Sequence, residues 1–143
     1  ELSEIFAGPG RTTLGNDELL AAIILPKPDE RSGAAYIRFT PRREMDIAVV
    51  GAAARVSLDA DGAIKTARIA LASVAPTPVR APSAEARLIG QRPDARLFSE
   101  AGAAAQGDAT PISDTRGSAA YRKDLIAVLV ERALTRAAER IGG

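Results

Sequence analysis

The run from Val50 to Leu71 constrains the fold more than any other stretch of this chain. Val50, Ala52, Ala54, Val56 and Leu58 occupy alternate positions, with Arg55, Ser57 and Asp59 on the opposite phase. Strand side chains point alternately to opposite faces, so this spacing predicts a strand with one apolar and one polar face. Asp59-Ala60-Asp61-Gly62 follows with turn chemistry, and Gly62 is free to take the positive φ of a tight reversal. Beyond it Ala67, Ile69 and Leu71 alternate against Thr66 and Arg68, so the two runs are expected to pair as an antiparallel hairpin.

Two further strands are expected upstream. Residues 35–40 alternate Tyr36, Arg38 and Thr40 against Ile37 and Phe39. Residues 19–25, Leu19-Leu20-Ala21-Ala22-Ile23-Ile24-Leu25, form an apolar run of strand length stopped by Pro26 and Pro28. Residues 1–15 read as a connector broken at Gly8-Pro9-Gly10. That glycine-rich piece lacks the full spacing of a phosphate-binding loop.

After Pro76, Pro78 and Pro82 the composition shifts to Ala, Leu, Arg and Glu, which favours helices. One short helix is expected over 83–89, ending at Gly90, and a second from an Asp94 cap to about residue 105. The longest, over 118–141, carries Ile126, Leu129, Val130, Ala133, Leu134, Ala137 and Ile141 at spacings of three and four. Strands followed by helices give an α+β fold, an antiparallel sheet of about four strands with three helices on one face. Ala and Gly in the central strand would let a helix approach closely. The 143 residues read as a single domain, with a connector at 1–15, a sheet half at 16–75 and a helical half at 82–141.

Composition matters most through what is missing. With no Cys and no His, the chain cannot build a Cys- or His-ligated zinc or iron–sulfur site, a Ser-His-Asp triad or a Cys nucleophile. The carboxylates form no evident acid–base pair, so no catalytic residue and no metal site is assigned. A net charge of +1 gives no field that would draw nucleic acid or a membrane surface, and no apolar run is long enough to span a bilayer. Cytoplasm is the expected compartment. The chain begins at Glu1, and it is expected to be a fragment of a longer protein.

Three groups of residues could carry function. Arg38, Arg42 and Arg43 stand beside the apolar run that starts at Ile47, and forked guanidinium donors suit a phosphate or an anionic ring. Ion pairing with Glu44 and Asp46 explains the same residues. Residues 111–122 gather Asp114, Arg116, Tyr121 and Arg122 at a helix start, either as an interface or as caps with local pairs. Arg132, Arg136 and Arg140 form a basic ridge, either solvated or facing a partner.

Five segments in order, FAGPGRT, DELLAAIILP, RREMDIAVVGAAARVSLDADGAI, ARIALASVAPTPVRAPSAEARLIG and PISDTRGSAAYRKDLIAVLVERAL, resemble the C-terminal domain of the FAD-binding medium subunit of molybdenum hydroxylases. This is the carbon monoxide dehydrogenase and xanthine dehydrogenase family. The resemblance implies an antiparallel sheet with three helices. It also implies FAD held mainly by a preceding domain, with none bound tightly by this part alone. It further implies partnership with that domain, a molybdopterin large subunit and an iron–sulfur small subunit, in electron transfer to an external acceptor. By the same likeness Arg38, where some relatives carry Lys, together with Arg42 and Ile47, faces the flavin, and Arg43 is left out. Met45 stands where xanthine-oxidising members carry an acidic residue, which argues against direct contact with an NAD-type acceptor. A non-catalytic protein-interaction module is the alternative.

Overall fold

The computed structural model describes residues 1–42 and 44–141, so Arg43 lies outside the described residues. The main sheet is a four-stranded antiparallel meander of β3 (Ser32–Phe39), β4 (Val50–Leu58), β5 (Ile64–Ala72) and β6 (Val79–Arg80). The expected hairpin is β4–β5. Asp59 closes its turn by accepting the amides of Asp61 and Ala63, and Gly62 sits at φ 84°. Three helices follow: α1 (Pro82–Leu88), α2 (Ala95–Ala105) and α3 (Ala119–Glu139). Asp94 and Ser118 cap α2 and α3 by accepting the amides of Leu97 and Tyr121, as their positions predict.

Alternation sorts the sheet into two faces. Val50, Ala52, Ala54 and Val56 of β4 and Ile64, Ile69 and Leu71 of β5 are buried beneath Ile126, Leu129, Val130, Leu134 and Ala137 of α3 and Leu88 and Phe98 of α1 and α2. The opposite face carries Arg38, Arg55, Arg68 and Arg80 over a floor of small residues that includes Ala53 and Ala70. The α1–sheet junction is tied by Glu85, whose Oε1 accepts the Ile69 amide at 2.8 Å and the Arg80 Nε at 2.7 Å.

A helix does approach β4 closely, with Ala52 and Ala54 buried in the core beneath α3, but the glycine at the tightest crossing belongs to another strand. Gly51 lies under the Tyr36 ring on the outer face, whereas Gly33 of β3 is the residue crossed by α3 at Ala137. Arg140 also lies at this crossing, its Nη1 donating to the Ala34 carbonyl at 2.8 Å, so the expected solvated ridge loses one member.

Two expectations about strands are corrected. Residues 1–15 are not merely a connector, since β1 (Phe6–Gly8) and β2 (Arg11–Thr12) pair as a small antiparallel sheet. Residues 19–25 form no strand, and the fourth place in the main sheet goes to β6 instead. The apolar run has strand composition, but a strand exists only against a neighbour, and β3 leaves its free edge unmatched by it. Among the described residues no helix is long and apolar enough to cross a membrane.

Candidate functional site

The loop 40–48 joins β3 to β4 and is built from its own polar groups. The Val49 amide closes it on the Phe39 carbonyl at 2.9 Å. Inside it, Asp46 accepts the backbone amides of Arg42 and Ile47, each at 2.9 Å, and lies 3.6 Å from Arg42 Nε. Arg42 Nη2 donates to the Met45 carbonyl at 3.3 Å, and Met45 takes a left-handed φ of 47°, which a non-glycine residue adopts only when its surroundings hold it there. The Arg42 amide, then the Ile47 amide and the Arg42 guanidinium, hold the Asp46 carboxyl below the usual carboxylate range. The ion-pair reading of Arg42 is therefore realised with Asp46, while Ile47 projects with 61% of its surface exposed.

Behind the loop stands Arg122 of α3, only 4% exposed. Its Nη1 donates to the carbonyls of Val49 and, at 3.0 Å, Ser73, and its Nη2 pairs with Asp114 Oδ1 at 2.7 Å. One guanidinium thus ties the start of β4, the turn after β5 and the loop before α3. Ser73, its second acceptor, has φ 65°, so the turn is held in a left-handed conformation where the arginine grips it. Phe39 and Tyr121 pack edge to face with centroids 6.3 Å apart, seating the end of β3 on the first turn of α3.

Sequence reasoning gave Arg122 a local pairing role and missed its reach to Val49, 73 residues away. The cap at Ser118 was foreseen. Arg116 makes no ion pair among the described residues and is exposed; its backbone amide, not its guanidinium, donates to Asp114 at 2.9 Å. A cleft of about 430 Å³ opens where these parts meet, lined by Ile47, Ala48, Ser73, Pro76, Ile112 and Arg116. Ile47 reaches it. Arg38 stands instead on the outer sheet face opposite Gly51, and neither it nor Arg42 lines the cleft. Among the described residues no cluster of three or more His, Cys, Asp or Glu could hold a metal ion.

The Arg122–Asp114 pair predicts a pH dependence. The Arg122 guanidinium first, then the amides of Arg116 and Gly117, lower the Asp114 pKa. A carboxylate depressed on folding adds stability above its unfolded pKa, about 3.9 for Asp, and loses it as pH falls through the folded value. Thermal melts of Asp114→Asn and the parent chain should therefore differ by a constant amount from neutral pH down to about pH 5, and converge below about pH 4. A gap that persists in acid would show that the charge is not what joins Asp114 to Arg122.

An antiparallel sheet flanked by three helices on one face is the architecture of a known class. Residues 35–137 match the family described as the CO dehydrogenase flavoprotein C-terminal domain. The chain belongs to this family. It is 35% identical over 137 residues to the carbon monoxide dehydrogenase medium chain of Afipia carboxidovorans, covering 96% of this chain and 47% of that protein. It is 31% identical over 137 residues to the xanthine dehydrogenase FAD-binding subunit of Escherichia coli O157:H7, covering 95% and 47%. The carbon monoxide dehydrogenase structure from Hydrogenophaga pseudoflava superposes with a TM-score of 0.88 at 32% identity, covering 97% of this chain and 48% of that one. The chain spans about half the length of these relatives.

Proposed function

We propose that this chain is the C-terminal part of a flavoprotein subunit of a molybdenum hydroxylase, where it encloses one side of FAD and docks partner subunits. The observation that carries the reading is that Asp46 holds the amides of Arg42 and Ile47, and Arg122 holds Val49 just beyond the loop, while the Ile47 side chain stays exposed at the mouth of a cleft. An aliphatic group whose backbone is held by hydrogen bonds suits contact with a flat ring, because little conformational entropy is lost on binding. The residues fit a flavin in part. Ile47 would pack on the ring and Arg38 would donate to its electron-rich edge, while Arg42, engaged with Asp46, sets the loop's shape. The dinucleotide's phosphates would be held by the preceding FAD-binding domain, since the glycine-rich segment at 8–12 lacks the phosphate-loop pattern.

FAD held in the complete subunit would supply electron transfer, linking the molybdopterin large subunit and the iron–sulfur small subunit to an external acceptor. The chain's part is to hold the ring and exclude water from it. The test is the flavin absorbance of the complete subunit with and without Arg38→Ala and Ile47→Asp. Each variant should weaken FAD retention about tenfold, the cost of one lost contact of about 1.4 kcal/mol. The isolated chain should bind FAD weakly or undetectably, and a micromolar-tight titration would contradict this. A complete subunit that purifies colourless and takes up no FAD would favour the alternative, a non-catalytic interaction module.

A further inference from the structure

The outer face of the main sheet bears a row of arginines that contact with a flavin leaves unused. Register places Ala34 of β3 opposite Arg55 of β4, and Arg55 opposite Arg68 of β5. Arg80 of β6 stands opposite Ala70, two positions along β5 from Arg68, so the row runs across the strands. Arg140 completes it at the β3 edge, where its Nη1 donates to the Ala34 carbonyl. Neighbouring strands lie about 4.8 Å apart, which makes the row from β3 to β6 about 14 Å long. Among the described residues Arg80 pairs with Glu85, while Arg55, Arg68 and Arg140 make no ion pair.

Two features of the row point to an anionic ligand. Like charges directly opposite on neighbouring strands destabilise a sheet, and Arg55 and Arg68 are such a pair without a carboxylate to offset them. Beside them lie Ala53 and Ala70, small residues with little intrinsic preference for strands, which leave open space between the guanidinium groups. The result is a groove of about 440 Å³, within the usual range of small-molecule sites. Four arginines and Tyr36 line it, and among the described residues no Asp or Glu does. Cross-strand partners have Cβ atoms about 5 Å apart, so two forked guanidinium groups can grip anionic groups held within one small molecule. A diphosphate, whose two phosphates share an oxygen, presents its charges that closely. Same-side carboxylates of an extended acidic peptide stand about 7 Å apart and match the pair less well.

We propose that this groove is an anion site, distinct from the flavin contact, that binds a small molecule carrying a diphosphate or triphosphate group. Arg55 and Arg68 grip adjacent phosphates, and Arg80 and Arg140 flank them at either edge of the sheet. Arg55 is five positions along β4 from Val50, about 17 Å from the loop 40–48 at a rise of about 3.4 Å per residue. The site therefore does not rest on which residues touch the flavin.

Calorimetric titration of the complete subunit with sodium pyrophosphate and sodium triphosphate tests the site, with sodium sulfate at matched ionic strength and an oligoglutamate peptide as comparisons. Saturable binding of one pyrophosphate or triphosphate per subunit is expected, weakened at least about tenfold by Arg55→Ala or Arg68→Ala, the loss of one charge-assisted contact. Arg68→Lys should recover only part of it, since an ammonium lacks the fork. Arg132→Ala, exposed on α3, is the control and should bind as the parent does. Without ligand, Arg68→Ala should melt within about 2 °C of the parent, because it removes a repulsion rather than a tie, so its weaker binding is not a failure to fold. Heats no larger than those of sulfate, or tighter binding of oligoglutamate than of either phosphate compound, would overturn the proposal. So would loss of flavin absorbance from Arg55→Ala and Arg68→Ala, which would assign the row to the phosphates of FAD itself.

Discussion

Arg122→Ala is expected to destabilise the chain by about 2–4 kcal/mol, the cost of leaving two carbonyl acceptors without their donor, while the Asp114 carboxylate left behind is partly exposed. An exposed ion pair would contribute at most about 1 kcal/mol, so burial decides the magnitude. The side chain is 4% exposed and holds the carbonyls of Val49 and Ser73 as well as the Asp114 carboxylate. Truncation strands those two carbonyls without a donor and leaves a void under the loop 40–48. Arg122→Lys should recover part of the loss, because one ammonium can reach fewer of three divergent acceptors than a planar fork can. Urea denaturation of the three proteins checks the ranking, alanine lowest and lysine between. Indistinguishable midpoints for alanine and the parent would show that the guanidinium is not a structural tie.

Gly33→Ala should be the most damaging glycine-to-alanine change among the described residues. A Cβ at this position would run into the Ala137 carbonyl of α3, with the Arg140 backbone close behind. Neither neighbour is a flexible side chain end that could swing away, so the helix itself must shift off β3. Overpacking typically costs about 1–3 kcal/mol and more when backbone has to move, which puts the expected loss at about 3 kcal/mol or above. Gly107→Ala is the matched control, since nothing lies within 4 Å of its Cβ position. Its melting temperature should stay within about 2 °C of the parent, given how little open surface sites respond.

The features legible in the sequence were those encoded by local periodicity. The β4–β5 hairpin, with Gly62 at its turn, follows from alternation and turn chemistry, and α3 follows from apolar spacing and its Ser118 cap. What escaped depends on distant backbone. Arg122 looks like a partner for nearby Asp114, and nothing in side-chain types reveals that the carbonyls of Val49 and Ser73 are its other acceptors. Val79 and Arg80 are too few to leave a periodic signal, yet they take the sheet edge because the chain returns along β5 after Pro78. Residues 19–25 carry strand composition, but pairing is a property of two segments, and among the described residues no second segment pairs with them. Arg38, Arg42 and Ile47 were grouped through family resemblance; the fold puts Ile47 at the cleft, Arg42 within the loop and Arg38 on the outer face of β3.

The central claim is that the loop 40–48 and the adjoining end of β3 lie against the flavin. Photolabelling tests it most directly: the complete subunit is reconstituted with azido-FAD, whose reactive group sits on the ring, irradiated and mapped by mass spectrometry. The expected result is label on peptides containing Arg38 and Ile47, reduced by competing FAD and absent from α1 and α2. Label confined to residues outside this chain, or falling on α1 and α2 in its place, would contradict the account.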